Sequence, residues 1–288
     1  MKKTLFLLLA CCFAANSCGN GNAVASTGSG NQGGSEPRQK IDSRIPARKE
    51  NTLNLATYNV GVFNKSGINS CDMVARMMKE WDLDALSLNE LDSCNTRSGL
   101  YTYQLKDFAK AMGEWNYNFA GAIAYKSGTY GVGAVTPRKV VNSWTIKLPK
   151  SNDSEVRALS VIETEKFVFC NTHLGLKDQA QLDQINVIDD FISAHFGSSA
   201  KPVFLCGDMN AEPGSKTLEA LAKEWECLSR TDDTTFSTSN PIKCIDFIFR
   251  YRNAGRASCS VSFVGKSFEG GDPLKASDHF PVFVQVEL

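Results

Sequence analysis

The stretch VFLCGDMNAEPGS, residues 203–215, contains an apolar run that ends in an acid and an amide. The four residues VFLC are typical of a buried strand. Asp208 and Asn210 follow at the end of this run, where strands of α/β folds commonly present chemically active side chains. A buried strand explains the apolar run but not the two polar residues. The stretch therefore predicts an α/β fold with functional groups at the exit of this strand.

The first 18 residues have the layout of a secretory signal. Two lysines precede an apolar run, residues 5–15, which is too short to span a bilayer. Small residues then precede Cys18, as in bacterial lipoprotein signals, where the cysteine is lipidated and becomes the first mature residue. Cleavage after Ser17 without lipid is the alternative. We expect an exported protein, anchored to a membrane through lipidated Cys18 in the periplasm or at the cell surface, and otherwise secreted.

Composition divides the rest of the chain into a tether and one domain. Residues 19–50 are rich in Gly, Ser, Asn and charge, without apolar periodicity, which predicts a flexible tether. Residues 51–288 are long enough for one large catalytic domain. The chain carries 31 basic and 31 acidic residues. This balance argues against, without excluding, a protein that neutralises many nucleic-acid phosphates.

Seven cysteines follow Cys18, and their spacing does not suggest a zinc site. Cys170 and Cys206 lie in apolar runs and are predicted to be buried thiols. Cys71 and Cys94 are placed to lie at one end of a β-α-β unit. A disulfide between them is one alternative in an oxidising compartment, and two free thiols are the other.

Strands outnumber helices in the sequence pattern. Runs rich in β-branched and aromatic residues predict strands, and apolar residues at helical spacing predict helices. Successive strands without helices, within 131–173, predict antiparallel pairing, so we expect a mixed two-sheet sandwich with helices on its outer faces. The predicted strands are 53–60, 85–90, 118–124, 131–137, 143–148, 157–165, 166–173, 203–208, 244–250, 257–265 and 280–288, and the predicted helices are 70–81, 103–112, 178–195 and 215–225.

Polar, chemically capable residues interrupt or end several of these strands. Each one alone is compatible with a turn cap or a surface ion pair. Together they are harder to explain, because buried charge is costly unless the groups meet each other or a metal. His195, at the end of a helix, is instead predicted to cap it. The candidate residues are Asn59, Glu90, His173, Asp208, Asn210, Asp246, Asp278 and His279.

The motifs around these residues resemble the endonuclease/exonuclease/phosphatase superfamily. The series TYN, NELD, NTHL, GDMNAEPGS, IDFIF and SDHFPV occurs in the family's order across residues 53–288. GDMN and SDH are the most specific of these motifs. The resemblance implies a four-layer α/β sandwich (DNase I-like) of two mixed β-sheets flanked by helices. It also implies hydrolysis of phosphate esters with Mg²⁺ or Mn²⁺.

The resemblance also implies a role for each matching residue. Glu90 is the principal metal ligand, with Asn59 and Asp278 close to the same ion. Asp208 deprotonates the attacking water, and Asn210 holds a phosphate oxygen. Two histidines bind phosphate oxygens from the other side: His173, and His279 paired with Asp246.

Two positions depart from the family's pattern. Val132 follows Tyr130-Gly131 where several relatives have asparagine, so Tyr130 is only a secondary candidate for a phosphate contact. Arg157 is another secondary candidate for a phosphate contact, and a surface salt bridge would explain this arginine equally well. Asp92 stands two residues after Glu90, where many relatives carry a basic or polar residue, and it is expected to disfavour an anionic chain on that side.

We therefore expect a monomeric, metal-dependent phosphoesterase that cleaves phosphodiesters with an Asp-activated water. Nucleic acid, a sphingomyelin-like phospholipid and a phosphorylated small molecule remain open as substrates. The alternative is a binding lipoprotein that keeps the fold without activity. The complete set of candidate residues argues against it.

The signal gives a first test. Metabolic labelling with a fatty acid should mark the wild-type protein and not Cys18→Ala, because the thiol of Cys18 is the predicted attachment point. Equal labelling of both proteins would contradict attachment at Cys18, and no labelling of either would favour cleavage without lipid.

Overall fold

The computed structural model describes residues 41–288. Two six-stranded sheets pack face to face, with helices against their outer faces, which confirms the predicted four-layer sandwich. The predicted signal, residues 1–18, and residues 19–40 of the predicted tether lie outside the described residues. Among the described residues, no helix is long and apolar enough to cross a membrane.

The first sheet has the order β11-β12-β1-β2-β4-β3. Its central strands β1 and β2 are parallel, and every other neighbouring pair is antiparallel. The strands are β1 (Thr52–Asn59), β2 (Ala85–Ser93), β3 (Asn116–Tyr125), β4 (Gly128–Thr136), β11 (Ser258–Val264) and β12 (Val282–Glu287).

The second sheet has the order β5-β6-β7-β8-β10-β9. Here β7 and β8 form the parallel pair, and the other pairs are antiparallel. The strands are β5 (Val140–Leu148), β6 (Arg157–Thr164), β7 (Val168–His173), β8 (Val203–Asp208), β9 (Trp225–Cys227) and β10 (Asp246–Tyr251).

Alternation along the strands separates three apolar layers. In β1, Leu55 faces the second sheet, whereas Ala56 and Tyr58 face the outer helices. In β8, Phe204 and Cys206 face the first sheet, as period-two alternation requires. The helices are α1 (Cys71–Lys79) and α2 (Gln104–Ala111) beside the first sheet, α3 (Asp178–Phe196) and α4 (Lys216–Glu224) beside the second, and the short α5 (Pro273–Ala276).

All eleven predicted strands and all four predicted helices are present, with shifted ends. The pattern missed β9, α5 and the 3-10 turn Gly61–Phe63, since elements of three or four residues carry too few positions to show a period. The predicted antiparallel pairing within 131–173 holds for β5, β6 and β7. It fails between β4 and β5, because the chain changes sheets there.

Residues 41–50 of the predicted tether lie against the domain. Asp42 N donates to Glu80 O at 3.0 Å, and Ile45 packs against the first-sheet core. Arg48 pairs with the buried Asp84 at 2.7 Å. The described residues 41–50 therefore contact the domain, because their charged and apolar side chains find partners that local composition does not reveal.

The structure resolves the cysteine alternatives in favour of thiols. Cys71 and Cys94 are both free. Cys170 and Cys206 are buried thiols, as predicted, and burial raises the pKa of each above the usual range of cysteine. No disulfide therefore holds the described part of the chain together.

A partly buried hydrogen bond links α3 to β9. Trp225 Nε1 donates to Asp189 Oδ1 at 2.7 Å. Burial of the carboxyl, opposed by this hydrogen bond, raises the pKa of Asp189 to about 6. The folded protein therefore binds a proton at Asp189 more tightly than the unfolded chain does. This proton stabilises the fold at low pH, and the stabilisation is lost as pH rises from the unfolded pKa, about 4, through the folded pKa, about 6.

Asp189→Asn should consequently unfold like wild type near pH 4 and be more stable at pH 7. We expect a difference of about 1 kcal/mol at pH 7, after discounting the shift for the partial exposure of Asp189. Urea unfolding at both pH values measures it. A difference that is the same at both would contradict the raised pKa.

Candidate active site

Strand register places three of the candidate residues side by side. Asp208, the last residue of β8, is paired with His173 in the parallel strand β7 and with Asp246 in the antiparallel strand β10. Residues opposite each other in a sheet point to the same face. The two neighbouring strands therefore bring an imidazole and a second carboxylate to either side of Asp208.

The backbone before Asp208 requires a glycine, Gly207. Its φ of +139° lies in a region that L side chains rarely adopt, and a Cβ there would lie 1.8 Å from Thr172 O in β7. The strand therefore continues through this glycine to Asp208, and the turn comes afterwards at Asn210, which has φ +48°. Only glycine permits this approach of the two strands.

A bulge in β2 directs Glu90 towards the site. The pairing of β2 with β4 shifts register between Leu88 and Leu91, and Glu90 has φ +58°. An unfavourable backbone conformation of this kind is retained where the surroundings fix it, often at functional sites. Here it turns the Glu90 carboxylate out of the regular alternation.

Asn59, at the end of β1, links the two sheets. Its Nδ2 lies 3.2 Å from Glu90 Oε1 and 3.1 Å from Asp208 Oδ2, and its Oδ1 accepts from Gly61 N at 3.1 Å. Both carboxylates are thus held by one amide. This contact brings the predicted metal residues next to the predicted base.

Two buried asparagines that we did not predict support the same junction. Asn89 Nδ2 donates to Asn171 Oδ1 at 3.0 Å, and Asn89 Oδ1 accepts from Asp208 N at 3.2 Å. Asn171 Nδ2 donates to Leu88 O at 2.8 Å, which ties the second sheet to the first. The available signal was an amide inside an apolar strand, since a buried polar group must find partners.

His279 lies against Asp246, with 2.9 Å between Nδ1 and Oδ2. Its Nε2 is 3.7 Å from Asp208 Oδ2. Burial alone would lower the pKa of His279, but the carboxylates of Asp246, Asp208 and Asp278 raise it to about 9. The imidazole is therefore protonated at neutral pH and directs a positive charge at the site.

His173 behaves in the opposite way. Burial, together with the nearby charges of Arg157 and His279, outweighs Asp208 and lowers the pKa of His173 to about 3. Its Nε2 is 3.4 Å from Asp208 Oδ2, and its Nδ1 is buried without a hydrogen-bond partner. His173 is therefore neutral, so it can donate a hydrogen bond to a phosphate oxygen but supplies no charge.

Asp208 is fully enclosed by these groups. Burial, aided by the charge of Asp246, raises the pKa of Asp208 above the ordinary aspartate value, although His173 and His279 oppose the shift. Its Oδ1 accepts from Asn210 N at 2.9 Å. A raised pKa makes the carboxylate a better proton acceptor, as general-base catalysis requires.

The side chain of Asn210 faces the cavity while it also fixes the turn. Its Nδ2 donates to Leu174 O at 2.9 Å, so one of its amide hydrogens is already used. An asparagine tolerates the left-handed backbone conformation at this point. The structure thus gives Asn210 a turn-forming contact in addition to the predicted position at the site.

Two carboxylates converge on a cation at the predicted metal site. Lys65 Nζ lies 3.0 Å from Asp278 Oδ2 and 3.6 Å from Glu90 Oε2. The ammonium group acts as a stand-in ion and shows that both carboxylates reach one cation. The two carboxylates offer oxygen ligands, which suit Mg²⁺ or Mn²⁺, and the amide of Asn59 lies beside them with its Nδ2 towards Glu90.

A second acidic group fits a metal less well. The ligand atoms of Asp208, Asp246 and His279 lie within 4.8 Å of one another. These three side chains already contact one another, however: His279 Nδ1 lies 2.9 Å from Asp246 Oδ2, and its Nε2 lies 3.7 Å from Asp208 Oδ2. Glu90, Asn59 and Asp278 are therefore the better candidate ligands.

These groups open onto a cavity of about 530 Å³. Arg157 is only 6% exposed and pairs with the exposed carboxylate of Glu155 at 3.4 Å, so the salt bridge left open by the sequence is present and Arg157 also lines the cavity. Its Nε is buried without a partner. The residues around the cavity are Lys65, Glu90, Tyr130, Ser154, Glu155, Arg157, His173, Leu176, Asp208, Asn210, Glu212, Phe236, Lys243, Ile245, Asp278 and His279.

Asp92 does not act on the cavity as expected. It is fully buried and forms a bidentate pair with Arg97 at 2.7 and 2.8 Å. Burial raises the pKa of Asp92, but hydrogen bonds from Arg97 and Ser98 bring it below the ordinary value. The expected repulsion of an anionic chain is wrong, since Arg97 neutralises this charge.

The pairing of His279 with Asp246 can be tested by NMR in metal-free protein, where three histidines give few signals. Because the pKa of His279 is raised, its positive charge stabilises the folded protein. This contribution is fully present below the unfolded pKa, about 6.5, and is lost as pH rises through about 9. Asp246→Asn should lower the pKa of His279 by about 1–3 units, because it removes the closest carboxylate. A His279 that titrates near 6.5 in wild type would contradict the pairing.

Comparisons with solved structures agree with this fold. An endonuclease/exonuclease/phosphatase from Bacteroides vulgatus is 19% identical, with a TM-score of 0.66 over 82% of this chain and 99% of that one. A mannosyl-6-phosphatase from Bacteroides thetaiotaomicron is 18% identical, with a TM-score of 0.61 over 82% and 100%. ANGEL2, described as a 2′,3′-cyclic phosphatase, is 13% identical, with a TM-score of 0.61 over 82% and 95%.

Comparison of the sequence with family models identifies the family of this chain. No curated protein matches the chain. The model of the endonuclease/exonuclease/phosphatase family matches residues 56–279, a span that includes every candidate residue described above. The chain therefore belongs to the endonuclease/exonuclease/phosphatase family, whose members hydrolyse phosphate esters.

Proposed function

We propose that the protein is a divalent-metal-dependent phosphodiesterase that activates water with Asp208. The observation that carries the proposal is the environment of this carboxylate. Asp208 is buried, has a raised pKa and lies between a neutral and a protonated imidazole. Such an arrangement suits proton abstraction next to a bound anion.

Each residue of the site has a separate role in hydrolysis. Asp208 accepts the proton of the attacking water, and Asn59 keeps its carboxylate in place. Protonated His279, oriented by Asp246, donates a charged hydrogen bond to a phosphate oxygen. Neutral His173 donates to another oxygen.

Glu90, Asn59 and Asp278 would hold the metal. A bound Mg²⁺ or Mn²⁺ supplies charge neutralisation at the phosphate oxygens, which no neutral side chain can replace. Arg157 adds a buried positive charge on the cavity wall, and Tyr130 and Asn210 supply further polar atoms to it. These secondary contacts would position the phosphate rather than activate the water.

Hydrolysis of a panel of phosphate esters would identify the substrate class. The solved relatives include a mannosyl-6-phosphatase and a 2′,3′-cyclic phosphatase, so one fold accommodates monoesters and diesters. The equal numbers of acidic and basic residues favour a compact ester over a long polyanion. Nucleic acid, sphingomyelin and phosphorylated small molecules should be compared directly. We also propose that the enzyme is a monomer, exported and held at a membrane through Cys18.

Hydrolysis of bis-p-nitrophenyl phosphate tests the proposal. Wild type should be active with Mg²⁺ or Mn²⁺, lose activity with EDTA and regain it with excess metal. Asp208→Ala should lower turnover by about 10²–10⁴-fold, because it removes the proton acceptor. Asp190→Ala, which removes an exposed acid on α3, should leave turnover unchanged.

Two outcomes would contradict the proposal. Metal-independent activity, or none with any ester of the panel, would exclude the metal-dependent reaction. Near wild-type turnover of a correctly folded Asp208→Ala protein would exclude Asp208 as the base.

A further inference from the structure

Lys65 is the one cation in direct contact with both predicted metal carboxylates in the described structure. Its ammonium lies 3.0 Å from Asp278 Oδ2 and 3.6 Å from Glu90 Oε2, the two carboxylates assigned above to the metal. No sequence motif marked Lys65, since it lies in the irregular segment after β1 and the 3-10 turn.

The backbone provides a place for the lysine stem. Gly61 has φ +51°, and a Cβ at this position would lie 2.3 Å from both Cγ and Cε of Lys65. The lysine stem therefore packs closely against the backbone of Gly61. This packing is a contact of the side chain in addition to its ion pairs.

The ammonium of Lys65 reduces the repulsion between negative charges in the site. Glu90 and Asp278 are 21% and 33% exposed, so the solvent screens their mutual repulsion only in part. Asp208 and Asp246 are two further carboxylates of the same site, and one amide, that of Asn59, contacts both Glu90 and Asp208. Without a metal the ammonium of Lys65 supplies the missing neutralisation.

We propose that Lys65 is the resident counter-cation of the metal site: it neutralises Glu90 and Asp278 in the metal-free enzyme and must be displaced when Mg²⁺ or Mn²⁺ binds. The inference rests on the proposed function, because it assumes that these carboxylates bind the metal. Displacing the ammonium lowers the apparent metal affinity. In return, the two carboxylates remain paired and correctly placed when metal is scarce.

Calorimetric titration of the metal-free mature protein with Mn²⁺ and Mg²⁺ tests the inference. Lys65→Met keeps an apolar stem and removes the competing charge, so it should bind metal about tenfold more tightly than wild type. Lys275→Met is the matched control, since it removes a nearby exposed lysine whose partner is Asp272, 3.6 Å away. It should bind like wild type.

Thermal unfolding provides a second measurement on the same proteins. In EDTA, Lys65→Met should unfold at a lower temperature than wild type, because the two carboxylates lose their shared partner. Saturating Mn²⁺ should abolish or reverse this difference, since metal binding stabilises the variant more. The control variant should show neither effect.

The outcomes separate this inference from the proposed function. Metal binding by wild type with equal or weaker binding by Lys65→Met would overturn the role of Lys65 and leave the metal-dependent function standing. Absence of binding by both proteins would overturn both. Equal tightening by Lys275→Met would also overturn it, because the effect would then follow from net charge alone.

Discussion

The structure depends on the burial of the Asp208 carboxylate at the junction of the two sheets. A buried carboxylate is unfavourable unless it receives hydrogen bonds and opposite charge. Here the first sheet supplies the amide of Asn59, the following turn supplies the N–H of Asn210, and His279 supplies a positive charge. These polar interactions therefore join the two sheets at the site, next to the apolar layer between the sheets.

This arrangement separates the properties of two similar side chains. His173 and His279 both lie within 4 Å of Asp208, yet burial makes one neutral whereas Asp246 keeps the other charged. The charge of these two imidazoles is thus set by their neighbours rather than by residue type.

Much of the fold and of the candidate site could be predicted. Apolar alternation indicated the strands, and polar residues at strand ends indicated a site, since both are local patterns. Asn89, Asn171 and Lys65 were missed because their roles depend on partners far away in the chain. The pairing of buried Asp92 with Arg97 was missed for a different reason: the two residues are close in sequence, but only folding brings the guanidinium onto the carboxylate.

The sequence by itself determined the family, the layered sandwich and the identity of the polar groups at the strand ends. It could do so because strand periodicity and motif order are properties of the chain. Only the tertiary structure decided that Asp208 lies between His173 and Asp246 and that Glu90 and Asp278 share Lys65. Distances, burial and protonation depend on which strands are neighbours, and a linear pattern does not contain that information.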